Sequence, residues 1–150
     1  MSNPLIVKNT IIINTPVTKV WDVLTNPEQT PKYMFGCKII TDYQPGNPIL
    51  WQATHEGNDT VYVSGHVITY KLHQLFAYTV FDPFSTYENI PENHLTVTYS
   101  LTNKNGETSL DITQGDYTWV PDGEARYEKA IEEGGWSSIL EAIKKVAEEE

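Results

Sequence analysis

The chain closes on two alternating strands, a tight turn between them, and a long amphipathic helix. That order restricts the fold more than any other feature. Thr98-Tyr99-Ser100-Leu101 leads to a Lys104-Asn105-Gly106-Glu107 turn and then to Thr108-Ser109-Leu110-Asp111-Ile112-Thr113. After a linker, Gly135-Trp136-Ser137-Ser138-Ile139-Leu140-Glu141-Ala142-Ile143 begins the last apolar stripe. A helix that ends a run of antiparallel strands must bury that stripe on a sheet face. The space between sheet and helix can enclose a cavity, and function is sought there.

The remaining sequence supplies the other strands. Leu5 to Asn14 is β-branched and apolar and reads as the first strand. Thr15-Pro16 then starts a helix, with Thr15 as N-cap, Pro16 at the first helical position and Val17, Val20, Trp21 and Leu24 on its buried face. Asn26-Pro27-Glu28-Gln29 repeats the start signal and predicts a second short helix to about Met34, made irregular by Pro31. Strands are expected over Cys37–Tyr43, Ile49–His55, Val61–Tyr70, Gln74–Phe81, His94–Thr102 and Glu107–Asp116. The linker Asp82 to Asn93 carries Phe84, Tyr87 and Ile90 and reads as a loop folded over something apolar. With no repeat and no low-complexity segment, residues 1–150 are expected to form one domain.

The closing helix changes phase. Tyr127, Ala130 and Ile131 share one face, whereas Trp136, Ile139, Leu140, Ile143 and Ala147 share another. In a straight helix these faces lie on nearly opposite sides. Gly134-Gly135 lies between them, so either the helix bends there or two helical segments meet there.

Charge removes several function classes. The formal net charge is −10, which disfavours nucleic-acid phosphates and anionic membrane surfaces as partners. The Glu148-Glu149-Glu150 end reads as a solvated, frayed terminus. Cys37 is the only cysteine, which excludes an internal disulfide and a cysteine-based zinc site and leaves a buried, inert thiol. No leader pattern and no long apolar run is present, so a cytoplasmic location is expected. Asn58-Asp59-Thr60 fits a glycosylation sequon but has no secretion signal to go with it.

No motif of nucleophilic, metal or phosphate chemistry stands out. His55, His66, His73 and His94 lack ligand-like spacing, and His73 and His94 are expected at solvated strand ends. No metal and no cofactor is expected. In Val61 to Tyr70, one face carries Tyr62, Ser64, His66, Ile68 and Tyr70, and the other Val61, Val63, Gly65, Val67 and Thr69. The Tyr/Ser/His face is expected inward, because cavities combine aromatic walls with a few polar groups. The alternative puts the valines in the core and His66 outside; a slip of one residue exchanges the two. Phe76, Tyr78 and Val80 share a side, as do Val97, Tyr99 and Leu101, and Leu110, Ile112 and Gln114. The candidate ligand-binding residues are Tyr33, Trp51, Tyr62, His66, Tyr70, Phe76, Tyr78, Tyr99, Gln114, Tyr127 and Ile131.

The order of elements resembles the helix-grip fold of the START-like, birch-pollen-allergen-like (SRPBCC) superfamily. Within it, the chain resembles the branch named after the activator of heat-shock-protein-90 ATPase homologue. The pieces that carry the resemblance are Ile13-Asn14-Thr15-Pro16 with Val20-Trp21-Asp22-Val23-Leu24-Thr25-Asn26-Pro27-Glu28, Gly65-His66-Val67-Ile68, Phe76-Ala77-Tyr78-Thr79, Val97 to Leu101, Thr108 to Ile112, and Gly135-Trp136. Gly46-Asn47 stands where the family usually has Gly-Gly, and Tyr33 and Phe35 only loosely represent its aromatic at the end of the second helix. The resemblance implies an α+β fold, about seven strands in β-α-α-β6-α order, whose curved antiparallel sheet wraps a long C-terminal helix. That superfamily contains lipid carriers, hormone receptors, cyclases and co-chaperone domains.

Three functions follow as expectations. The leading one is non-enzymatic binding of a small apolar or aromatic molecule between sheet and helix. The second is a cyclase, hydrolase or isomerase with His66 as general base and a nearby Tyr as acid. The third, implied by the resemblance alone, is a co-chaperone-like module acting on the heat-shock-protein-90 ATPase.

Overall fold

A computed structural model describes residues 3–149, so Glu150 of the acidic terminus lies outside the described residues. In chain order the elements are β1 (Val7–Ile13), α1 (Val17–Thr25), a 3-10 turn (Thr30–Lys32), β2 (Lys38–Thr41), β3 (Pro48–His55), β4 (Asn58–Lys71) and β5 (Leu75–Val80). Then follow β6 (Leu95–Lys104), β7 (Glu107–Gly115), a 3-10 turn (Tyr117–Trp119), α2 (Gly123–Glu132) and α3 (Ser137–Glu148). One antiparallel sheet runs in the order β1-β7-β6-β5-β4-β3-β2. The fold is the α+β helix-grip arrangement.

Two local details depart from the sequence expectations, and a third settles an alternative they left open. Pro16, not Thr15, caps α1, since Pro16 is extended and its carbonyl accepts from Lys19 and Val20. Thr15 is instead turned into the sheet, where its carbonyl accepts from the Thr108 hydroxyl at 2.8 Å. The second short helix is reduced to one 3-10 turn. The Asn26 side chain accepts from Glu28 N–H at 2.9 Å in the bend that precedes this turn, but Pro31 has no N–H with which to continue an α-helix. The C-terminal helix is two helices, with Gly134 and Gly135 both at positive φ (88° and 59°) between them.

The break divides the packing. α3 lays Leu140, Ile143 and Ala147 on the main core beside α1, whose Val20, Trp21 and Leu24 are also buried. Each fully buried aliphatic side chain of this kind contributes roughly 1.5–3 kcal/mol. α2 packs Tyr127 and Ala130 on a smaller cluster of Val7, Leu95, Tyr117 and Val120. Among the described residues no helix is long and apolar enough to cross a membrane.

β4 does not keep one alternation along its length. Its register shifts against β3 at Trp51/Gln52, where Val63 faces Trp51 and Val61 faces Gln52, leaving Tyr62 as the extra residue. It shifts again against β5 between Val67 and Thr69, leaving Ile68 as the extra residue. Between these bulges Gly65 and Val67 are buried while His66 is exposed. The expected inward Tyr/Ser/His face is therefore reversed for Ser64, His66 and Ile68. Beyond the second bulge the phase returns, and Tyr70 pairs with Phe76 on the inner side.

At Gly65 the backbone of Thr79 lies close against β4. A Cβ there would lie 1.8 Å from the Thr79 carbonyl oxygen. Because the obstacle is backbone, Gly65→Ala is expected to cost about 3 kcal/mol, at the upper end of ordinary overpacking. Urea unfolding checks this; a change under about 1 kcal/mol would show that the two strands separate freely here.

Candidate functional site

A cavity of about 510 Å³ lies between the inner sheet face and the start of α3. The sheet supplies Trp51, Val63, Tyr78, Val80, Val97 and Gln114. The helix side supplies Gly135, Trp136 and Ile139, and the segment before β2 supplies Met34, Phe35 and Cys37. His55 and Tyr62 complete the lining. Phe35 is 81% exposed and in the left-handed region (φ 52°), with Tyr62 39% exposed, so these two rings mark the rim.

The cavity wall is set by the break between α2 and α3. Asn9 on β1 accepts from Trp136 N–H at 3.0 Å and donates from its amide to the Gly134 carbonyl at 3.2 Å. Both partners are backbone groups at the interruption, where intrahelical partners are lost. Trp136 then reaches inward and donates its indole N–H to Gln114 Oε1 at 2.8 Å. Gln114 donates from Nε2 to the Tyr117 hydroxyl at 3.2 Å. The polar member of the wall is thus already paired on both its atoms.

The hydroxyls of Tyr33, Tyr70, Tyr78 and Tyr99 are paired in the same way. Tyr78 and Tyr99 share a hydroxyl–hydroxyl hydrogen bond at 2.5 Å. Tyr33 donates to the Leu24 carbonyl at 2.9 Å, and Trp21 donates its indole N–H to the Tyr70 hydroxyl at 3.3 Å. Burial, reinforced by the neighbouring tyrosines, pushes the Tyr33 and Tyr78 hydroxyls well above the ordinary phenol range. Tyr99 is raised by burial too, with the bond from Tyr78 working against it. These groups stay neutral at any physiological pH. Burial also raises the Cys37 thiol, so it lines the cavity without thiolate character.

Of the residues expected at the site, Trp51, Tyr62, Tyr78 and Gln114 line the cavity. Tyr33, Tyr70, Phe76 and Tyr99 belong to the packed core behind it. Tyr127 sits on Tyr117 in the smaller cluster, with ring centroids 5.9 Å apart. Ile131 is 51% exposed on α2, which the helix break turns away from the cavity. His66 is on the outer sheet face, stacked on His94 at 6.0 Å, so the acid–base pair of His66 with an inward tyrosine does not form. His73 is half-buried against Trp21 rather than solvated. Met34, Phe35, Cys37, His55, Trp136 and Ile139 were not among the expected ligand residues. For Trp136 and Ile139 the signal is the apolar stripe of α3, which packing alone also explains.

His94 also departs from the expected solvated position. It is half-buried, stacked on Phe81 at 5.2 Å, and bonded to both Thr79 and Asn89. Asn89 Oδ1 can only accept, so Nε2 carries the proton, and neutral Nδ1 accepts from the Thr79 hydroxyl. Burial and then the nearby His66 lower its pKa from the ordinary value.

A family model described as "Activator of Hsp90 ATPase homolog 1-like protein" matches residues 14–148. A protein of Cytophaga hutchinsonii with a solution structure is 28% identical, with a TM-score of 0.71 over 97% of this chain and 94% of that one. The Aha1 dimer from Colwellia psychrerythraea is 16% identical, with a TM-score of 0.66 over 95% and 96% of the two chains. A protein from Arthrobacter aurescens, 13% identical, gives a TM-score of 0.75 over 96% and 86%. Comparison with curated proteins finds no match.

Two outcomes test this geometry. Asn9→Ala leaves Trp136 N–H without its partner and the Gly134 carbonyl with Ser137 N–H alone, and is expected to cost about 1–3 kcal/mol in urea unfolding. A neutral result would mean water replaces the clasp in full. For His94, the unfolded chain, with a pKa of about 6.5, takes up a proton before the native one does as pH falls. The stability from this group is complete above that value and declines as pH drops towards the lowered native pKa. Denaturation midpoints between pH 7 and 5 should therefore fall more steeply for the native protein than for His94→Gln. Equal slopes would remove His94 from the pH dependence.

Proposed function

We propose, for a chain that belongs to the Activator of Hsp90 ATPase homolog 1-like family, that it binds a small apolar or aromatic molecule between the sheet and α3 without transforming it. The observation that carries this reading is the cavity itself. Its volume of about 510 Å³ falls within the range of small-molecule pockets, and its lining is mostly aromatic and aliphatic. The polar groups beside it are committed to one another: Gln114 to Trp136 and Tyr117, and Tyr78 to Tyr99. An occupant gains from leaving water and from shape, more than from hydrogen bonds. Small-molecule binding also agrees with the versatility of the helix-grip fold, although fold alone does not assign a ligand.

His55 is the one imidazole in the lining; it stands edge-on to Tyr62 with ring centroids 6.2 Å apart, and both are exposed at the rim rather than enclosed with an occupant of the cavity. This supports binding over catalysis. The family's descriptive name points to a chaperone ATPase, but no feature of the cavity favours that partner. We expect no rise in ATP turnover when the protein is added to the chaperone. The acidic composition and the absence of a long apolar helix among the described residues suit an aqueous compartment such as the cytoplasm.

The test uses N-phenyl-1-naphthylamine, a neutral aromatic probe that becomes fluorescent in apolar surroundings. Trp51 and Trp136 report from the wall. Saturable binding is expected, with energy transfer from the tryptophans. Ile139→Trp fills the cavity from α3 and should weaken binding at least about tenfold, while the fold stays intact by circular dichroism. Saturable binding that ignores Ile139→Trp, or no binding at all, would overturn the reading.

A further inference from the structure

A second recess of about 290 Å³ adjoins the cavity, and the two share Val63, Val80 and Gln114 as lining. The loop between β5 and β6 covers it with Ser85, Tyr87 and Asn93, and α2 contributes Arg126. Arg126 is the only arginine in a chain of net charge −10. It is half-buried, its guanidinium carbon lies 5.0 Å from the centre of the Tyr87 ring, and one N–H donates to the Pro121 carbonyl at 3.0 Å. Among the described residues it forms no salt bridge. A half-buried guanidinium without a carboxylate partner, fixed in direction by an aromatic face and a carbonyl, is an anion receptor in waiting.

We propose that Arg126 takes the carboxylate of an amphipathic ligand whose apolar body lies in the adjoining cavity. This rests on the ligand-binding reading above and specifies the chemical class: a fatty or arylacetic acid rather than a neutral hydrocarbon. The acidic neighbours define the limit of the charge. Asp82 lines the recess and accepts from Phe84 N–H at 2.8 Å, while Asp122 accepts from the Tyr87 hydroxyl at 2.7 Å. With these two carboxylates close by, a single negative charge is accommodated by Arg126, whereas the second charge of a phosphate monoester meets repulsion. The other polar side chains of the recess are occupied internally: Ser85 donates to the Asp82 carbonyl and Asn93 to the Glu88 carbonyl. Arg126 is therefore the group left to select the head of the ligand.

The experiment compares matched pairs at pH 7: 2-naphthylacetic acid with its methyl ester, and dodecanoic acid with dodecanol. Each displaces N-phenyl-1-naphthylamine from the native protein and from Arg126→Gln. The acids are expected to bind about tenfold tighter than their neutral partners to the native protein, and with equal affinity to Arg126→Gln. Binding of the neutral compounds to Arg126→Gln shows that the variant is folded with an open cavity. Equal affinities of acid and neutral compound for the native protein would overturn the proposal and leave apolar binding standing. An acid preference that survives Arg126→Gln would overturn it too, by placing the receptor elsewhere. If no compound binds the native protein, the ligand-binding reading falls first and this one with it.

Discussion

The clasp that Asn9 places on the broken C-terminal helix is the interaction on which the rest of the interior depends. A helix running unbroken from Gly123 to Glu148 would have to turn one of its two apolar faces to water, since those faces lie on opposite sides. Interrupting it at Gly134-Gly135 lets both faces be buried, at the expense of backbone groups that lose intrahelical partners. Asn9 meets one donor and one acceptor at that point with a single amide, and it projects from β1, the edge strand beside the helices. The same residue explains why Gly135 admits no side chain: a Cβ there would sit 2.5 Å from Asn9 Oδ1. The cavity lies between the sheet and the start of α3, just past this junction, which is why Gly135 and Trp136 border it.

The sequence was most legible where one physical requirement acts alone. Strands β5, β6 and β7 bury one face, so strict alternation revealed Phe76, Tyr78, Val97, Tyr99, Leu110 and Ile112 as inward residues. The phase change in the closing helix likewise marked the break, because no straight helix satisfies both stripes. β4 departs from its alternation because two requirements compete there. It must alternate, and it must also bend sharply enough to pair with β3 at one end and β5 at the other. The bulges at Tyr62 and Ile68 meet the second need and interrupt the first. Nothing in the residue types of Tyr62-Val63-Ser64-Gly65-His66 announces a bulge. Gly65 is the partial exception, and its meaning becomes plain only when the Thr79 carbonyl is seen against it.

The candidate site was harder to read than the fold, for a related reason. Aromatic residues with polar tips are natural cavity candidates because a buried hydroxyl needs a partner. The tips of Tyr33, Tyr70 and Tyr99 find theirs within the protein, at Leu24, Trp21 and Tyr78. A paired tyrosine packs as well as a phenylalanine, so its type alone does not separate wall from core. Phe35 was missed from the opposite direction. It lies in a short irregular segment before β2, where neither helical nor strand period says which way a side chain points.

That internal pairing also decides what kind of recognition this interior can offer. A pocket whose polar groups are unpaired selects a ligand by demanding particular donors and acceptors, and it penalises any occupant that leaves them unmet. Here Gln114 and the Tyr78–Tyr99 pair are already satisfied, so the cavity makes few such demands and discriminates by volume and contact. If the cavity serves as the binding site proposed above, such tolerant apolar walls would accept a class of molecules rather than one. Direction and orientation must then come from a polar group set apart from the walls. Arg126 is the charged side chain so placed, beyond Val63, Val80 and Gln114 and beneath the loop between β5 and β6. In the proposed reading, separating the two tasks lets the sheet and α3 remain a conventional apolar core while one residue on α2, freed by the helix break to face a different space, would carry the choice of head group.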